Sequence, residues 1–237
     1  MERFCKTGVP LLFVAFGLFP TFAAGSTFSV TTQGPGFFGS NGYSPVTITD
    51  DDYLSSGLTV YAGAFALAGD MDGNGSVDEF DAFCLDISAH MQGTSDYQVT
   101  GTPFDNSLLS PTQLADIESL YETGYSTLDL TDPSESAAFQ LALWEIANED
   151  SGAYAMTTGS FTASGSAAVA EADALLAGLG GPSTQQYDLF YLQSTPRDTP
   201  RSQNLVTAAP IPLPAAGLML LGAIAALRGV RRRRRSA

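Results

Sequence analysis

Asp132-Pro133-Ser134-Glu135-Ser136-Ala137-Ala138-Phe139-Gln140-Leu141-Ala142-Leu143-Trp144-Glu145-Ile146-Ala147-Asn148-Glu149-Asp150 is the stretch on which the fold turns. Asp132-Pro133 opens a helix: the acidic side chain can accept free N–H groups, and proline's missing N–H costs nothing at the first helical position. The apolar residues that follow recur at helical spacing, which predicts a helix ending near Asp150. At about 100° per residue, Ala137, Leu143, Trp144 and Ala147 gather around the direction of Gln140, flanked by Phe139, Leu141 and Ile146. Glu135, Glu145 and Glu149 fall on the opposite side. Gln140 therefore lies at the middle of the face expected to be buried, where a carboxamide needs a partner. Backbone or a neighbouring strand is one way to satisfy it.

Outward from this helix the chain changes period. Residues 25–109 are rich in Gly, Ser, Thr and aromatics and read as strands at 45–49, 58–67, 80–87 and 97–102, with turn signals at Gly34-Pro35-Gly36 and Asn41-Gly42. Ser110-Pro111 opens a first helix to about Glu122, and the Ala-rich residues 164–179 form a third. Strands at 187–192 and 204–207 close the domain, and residues 197–210 carry the polar, proline-bearing composition of a linker. The expected fold class is α+β: an antiparallel, barrel-like β-sheet domain with an inserted helical segment.

Both ends read as targeting segments. Arg3 and Lys6 precede an apolar run from Val9 to Phe19 and the small residues Ala23-Ala24-Gly25, the pattern of a secretory signal peptide over residues 1–24. At the other end, Ile211-Pro212-Leu213-Pro214-Ala215 leads into an apolar segment up to Leu227, then Arg228 and Arg231 to Arg235. As a helix the apolar segment measures roughly 20 Å at about 1.5 Å per residue, a marginal span of a hydrocarbon core about 30 Å thick. The arginines belong on the cytoplasmic side, which places everything upstream outside that membrane.

This order of proline motif, apolar helix and terminal arginines resembles the PEP-CTERM bacterial sorting signals, in particular the variant reading Val-Pro-Leu-Pro-Ala, with Ile211 in place of valine. The resemblance covers residues 211–237. It implies an inner-membrane intermediate, recognition and removal of the tail by an exosortase-type membrane protease, and delivery to the cell envelope or extracellular matrix of a Gram-negative-type bacterium. An ordinary tail anchor is the plainer reading.

The exported part, residues 25–196 with the linker, is strongly acidic. Of 25 acidic residues only Glu2 lies outside it, and of ten basic ones only Arg197 and Arg201 lie within it, so 2 − 24 gives −22. Such a field excludes nucleic acid and anionic membrane surfaces as partners. The exported part holds no lysine and one cysteine, Cys84, since Cys5 lies in the signal segment. An odd cysteine outside the cell is a buried inert side chain, a free thiol, or a participant in other chemistry. On its strand Cys84 shares a face with Phe80 and Ala82, while Phe83, Leu85 and Ile87 take the other. Both faces are apolar, so the strand is expected to be covered on both sides.

Taken together, Phe83-Cys84 and Phe139-Gln140-Leu141-Ala142-Leu143-Trp144 resemble the Cys–Gln thioester domains of bacterial surface proteins, over about residues 55–150. The resemblance implies a bond between Cys84 and Gln140 formed with loss of ammonia and shielded from water by Phe83, Phe139 and Trp144. It also implies covalent attachment to an amine or hydroxyl on a surface or matrix component. With no lysine in the exported part, that target is another molecule. The protein is then a stoichiometric attachment device and not an enzyme. The alternatives are a non-covalent structural or calcium-binding matrix protein, and a cysteine hydrolase that would need His90 set against Cys84.

Asp70, Asp72, Asn74, Ser76, Asp78 and Asp81 fall at the ligand positions of an EF-hand-like loop, with Gly75 at its sixth position and an Asp where the bidentate Glu normally stands. Calcium is the cation such a loop takes. A solvated Asp/Gly hairpin turn is the plainer reading.

Overall fold

The computed structural model describes residues 27–34, 36–52, 54–100, 109–149, 153–181, 185–195 and 201–211. Strands β1 (Thr27–Thr32), β2 (Tyr43–Asp50), β3 (Leu58–Gly63), β4 (Phe65–Gly69), β5 (Asp78–Cys84) and β6 (Thr94–Thr100) precede helices α1 (Pro111–Gly124) and α2 (Pro133–Asn148). Strand β7 (Phe161–Ser164), helix α3 (Ala168–Ala177), and strands β8 (Tyr187–Ser194) and β9 (Leu205–Pro210) follow. Six strands close an antiparallel barrel in the order β1-β4-β5-β9-β8-β6, and β3-β2-β7 form a second sheet. The coarse expectation of a barrel-like antiparallel domain with inserted helices agrees with this arrangement.

Alternation builds the barrel interior. Phe28 and Val30 of β1 stand opposite Tyr97 and Ser95 of β6, Phe65 of β4 opposite Ala82 of β5, and Cys84 opposite Leu205 of β9. All are buried or nearly so. The residues between them point outward, and there Phe83 meets Phe139 and Tyr125, with ring centroids 4.8 and 6.4 Å apart. Burying rings of this size stabilises by about 1.5–3 kcal/mol each. The strand carrying Cys84 is thus covered by barrel on one face and by helices on the other.

Both long helices begin as their sequences dictate. Ser110 and Gln113 form a reciprocal capping box at α1, and the Asp132 carboxylate accepts from the N–H groups of Ser134 and Glu135 at 2.8 and 3.2 Å.

Four expectations are corrected. The stretch 58–67 is not one strand: Ala64 leaves the ladder because its N–H donates to the Ser136 hydroxyl at 2.9 Å, and the chain crosses from one sheet to the other. The strand expected at 204–207 is β9, and it runs on to Pro210 through residues whose composition reads as linker, hydrogen-bonded to β8 along its length and to β5 at its start. β1 and β7 were not foreseen. The polar side assigned to α2 survives only near its ends, where Glu135 and Glu149 are half-buried; every residue from Ser136 to Ile146 is buried, including Glu145 at 0 % exposure. The helix packs against the barrel, the second sheet and both other helices, so no side of its middle is left for solvent.

Candidate functional site

The site follows from a gap in the barrel. β4 and β5 run side by side from Gly69 and Asp78 only as far as Phe65 and Ala82. Beyond that point β5 continues against β9 alone, where the Leu85 N–H donates to the Asn204 carbonyl at 2.9 Å. In an antiparallel strand successive residues turn their N–H and C=O to opposite sides, so those of Cys84 face the side that β4 has left. Two buried main-chain groups there need partners.

Helix α2 supplies them. Ser136, Gln140 and Trp144 lie four residues apart on one stripe, which runs along the gap. Ser136 takes the Ala64 N–H at the point where β4 begins. One turn on, the Gln140 carboxamide acts as a stand-in peptide: its Oε1 accepts from the Cys84 N–H at 2.8 Å, and its Nε2 donates to the Cys84 carbonyl at 2.7 Å. Gln140 is 1 % exposed and Cys84 0 %. The structure therefore brings together the two residues that the sequence singled out, through a contact spanning 56 positions.

The thiol is held in the same small space. Cys84 Sγ donates to the Asp86 carbonyl at 3.2 Å and accepts from the Asp86 N–H at 3.3 Å. Burial pushes this thiol up to about 12, against smaller opposing pulls from the Trp144 indole N–H and the Asp86 backbone. The indole N–H is itself buried without a hydrogen bond of ordinary geometry. Asp86 anchors the turn from outside: its carboxylate takes Ser88 N–H and hydroxyl, the Asn204 amide at 3.2 Å and the Arg201 guanidinium. Phe83, Phe139 and Trp144 are all buried, Phe83 and Phe139 in mutual contact outside the barrel wall and Trp144 beside the sulfur.

A groove of about 330 Å³ opens onto this site, with Gln140 and Trp144 on its lining. Its walls come from β2 and β3, from the Phe37-Phe38 turn, and from the segment after Cys84, which brings in exposed His90. No sequence pattern pointed to Phe37 or Phe38, and the sequence raised His90 only as a partner for Cys84, not as sharing a groove with Gln140. They lie far apart in the chain and meet only through the topology.

The residues read as a calcium loop are divided between a turn and a strand, and Asp70 Oδ1 is buried there without a hydrogen-bond partner. Asp70, Asp72, Asn74 and Ser76 shape the turn between β4 and β5: Asp72 accepts from the N–H and side-chain amide of Asn74, and Asp70 accepts from the Gly75 N–H at 2.9 Å. Asp78 is already within β5, and Asp81, three residues on, lies on the opposite face of that strand, where it accepts from the Asn41 amide at 2.7 Å. Among the described residues no three His, Cys, Asp or Glu side chains are grouped to hold a metal ion.

The segments read as export and sorting signals, residues 1–24 and 212–237, lie outside the described residues. Of the sorting motif only Ile211 is described, its N–H donating to the Gln186 carbonyl at 2.7 Å. No described helix is long and apolar enough to cross a membrane. No protein-family model matches the chain, and neither does any curated protein or solved structure.

Proposed function

We propose that the protein is an exported component of a bacterial envelope or matrix that forms a Cys84–Gln140 thioester and uses it to attach covalently to a target. The observation that carries this reading is the pairing of the Gln140 carboxamide with the Cys84 backbone, a buried arrangement with both amide atoms engaged. The Cys84 N–H on Oε1 polarises the carbonyl and is placed to stabilise the oxyanion that forms when sulfur adds to the carbonyl carbon. With the thiol pushed up to about 12, free thiolate is scarce. The sulfhydryl proton therefore passes to Nε2 as the C–S bond forms, the C–N bond breaks, and ammonia leaves. The buried side chains of Phe83, Phe139 and Trp144 limit the access of water that would hydrolyse the product to the groove alone. The arginine-tailed C-terminus, through its resemblance to sorting signals, supplies the route to the surface by way of an exosortase-type protease.

A second reading is favoured by the same gap in the barrel. Gln140 replaces the missing strand partner of Cys84, which is a sufficient structural reason for a buried glutamine. The protein is then a non-covalent matrix component. Intact mass of the protein purified from a secreting host separates the two. A mass lower by one ammonia, absent from Cys84→Ala and replaced by an addition on methylamine treatment, supports the thioester. An unmodified mass, with a thiol that alkylates only on unfolding, leaves the structural reading.

A further inference from the structure

The groove onto Gln140 differs chemically from the rest of the exported chain. That part carries 24 acidic residues, yet no Asp, Glu, Lys or Arg lines the groove among the described residues. Phe37, Phe38 and Tyr61 contribute aromatic rings to its wall, and Tyr61 is 64 % exposed. The rings are braced against neighbours, Phe38 on Phe65 with centroids 5.4 Å apart and Tyr61 edge-on to Tyr43 at 5.4 Å. His90, the one histidine in the chain, lies on the same lining as Gln140.

These features discriminate between the two nucleophile classes that a thioester can take. An alkylamine arrives in water as a cation, and a groove built to receive it would present carboxylate. This one presents none, in a protein with carboxylates to spare. A hydroxyl arrives neutral but is a weak nucleophile, and it needs a base to take its proton as it attacks. The apolar C–H faces of a sugar ring pack on aromatic rings of the kind exposed here.

Resting on the thioester reading, we infer that the groove selects a hydroxyl of a saccharide and that His90 is the base that activates it. The hydroxyl oxygen attacks the Gln140 acyl carbon while its proton passes to the imidazole. The C–S bond then breaks, and the departing sulfur takes that proton from the imidazolium. The products are an ester between the sugar and the Gln140 acyl group and a free Cys84 thiol, with no other reactant required.

The test follows adducts by intact mass in wild type, His90→Ala and His90→Gln, each incubated separately with glycerol, glucose and methylamine. The expected result is glucose and glycerol adducts on the wild type that form at least about a hundredfold more slowly in both His90 variants, a typical general-base contribution. Loss of ammonia from the untreated protein does not use His90 and is read in the same spectra. Ammonia loss in all three proteins with methylamine adducts alone assigns the site to amines and overturns the inference while leaving the thioester standing. Sugar adducts that form equally fast without His90 overturn its role as base. Absence of ammonia loss in the wild type removes the thioester reading and this inference with it.

Discussion

Cys84→Ala tests the cross-link by its effect on stability as well as on mass. A bond from Cys84 to Gln140 joins residues 56 positions apart. By the chain-entropy relation, closing a loop of that length removes about 4 kcal/mol of freedom from the unfolded chain. Alanine also removes a buried sulfur, about 1 kcal/mol. Against this, the unreacted carboxamide keeps its Nε2 hydrogen bond to the Cys84 carbonyl, which ammonia loss would have destroyed, worth about 1 kcal/mol. The net loss is about 4 kcal/mol, which for a domain of this size lowers Tm by roughly 8–16 °C. If Cys84 is only a buried thiol, the loss is the sulfur alone, about 1 kcal/mol, or roughly 2–4 °C. Scanning calorimetry on wild type and variant, with masses confirmed, distinguishes the two. Methylamine provides an internal control: it should lower the Tm of the wild type and leave that of Cys84→Ala unchanged. A variant within 4 °C of the wild type, and a wild type insensitive to methylamine, would refute the reasoning.

Three further outcomes follow from the same geometry. Adding Gln140→Leu to Cys84→Ala orphans the buried N–H and C=O of residue 84 and should cost about 2–6 kcal/mol in chemical denaturation; a change within error would mean that those groups find other partners. Burial pushes the Glu145 carboxyl up to about 7 from 4.5, offset in part by its hydrogen bond from the Ala155 N–H and reinforced by Glu149 and Asp173. Its stabilising contribution is therefore complete below about pH 4.5 and lost as pH rises through about 7, a swing of about 3 kcal/mol. Glu145→Gln keeps the acceptor for Ala155, fills the position of the unpaired Oε2 with a donor, and should raise stability above pH 7 while flattening its pH profile; an unchanged profile would refute the assignment. Gly42→Ala would set a Cβ 2.5 Å from the Pro133 nitrogen, at the start of the helix that carries Gln140, and should cost about 1–3 kcal/mol by denaturant titration, with no effect expected only if that helix start can shift freely.

Much of the site's composition was readable from periodicity. Helical spacing placed Gln140 in the centre of a buried stripe, and strand alternation placed Cys84 between two apolar faces; the structure bears out both. The reading of Glu145 failed for a physical reason: an amphipathic pattern tells which side is most apolar, not how many elements will surround the helix. Here the barrel, the second sheet and two helices leave its middle, where Glu145 stands, no wet side. The stretch 58–67 looked continuous because apolar composition carries no mark of a change of sheet. What divides it is a hydrogen bond from Ala64 to Ser136, 72 positions away.

By itself the sequence determined the local pieces: capped helices, alternating strands, a lone cysteine, a buried glutamine and an acidic chain without lysine between its two signal-like ends. These depend on the spacing and chemistry of neighbouring residues, which a linear text records. Tertiary structure alone decided that β4 parts from β5 at Ala82, two residues before Cys84, that the Gln140 carboxamide fills the vacated ladder position, and that His90 and the aromatic turn share a groove with it. Those relations come from strand register and closure of the barrel, and both are set by the packing of the whole core.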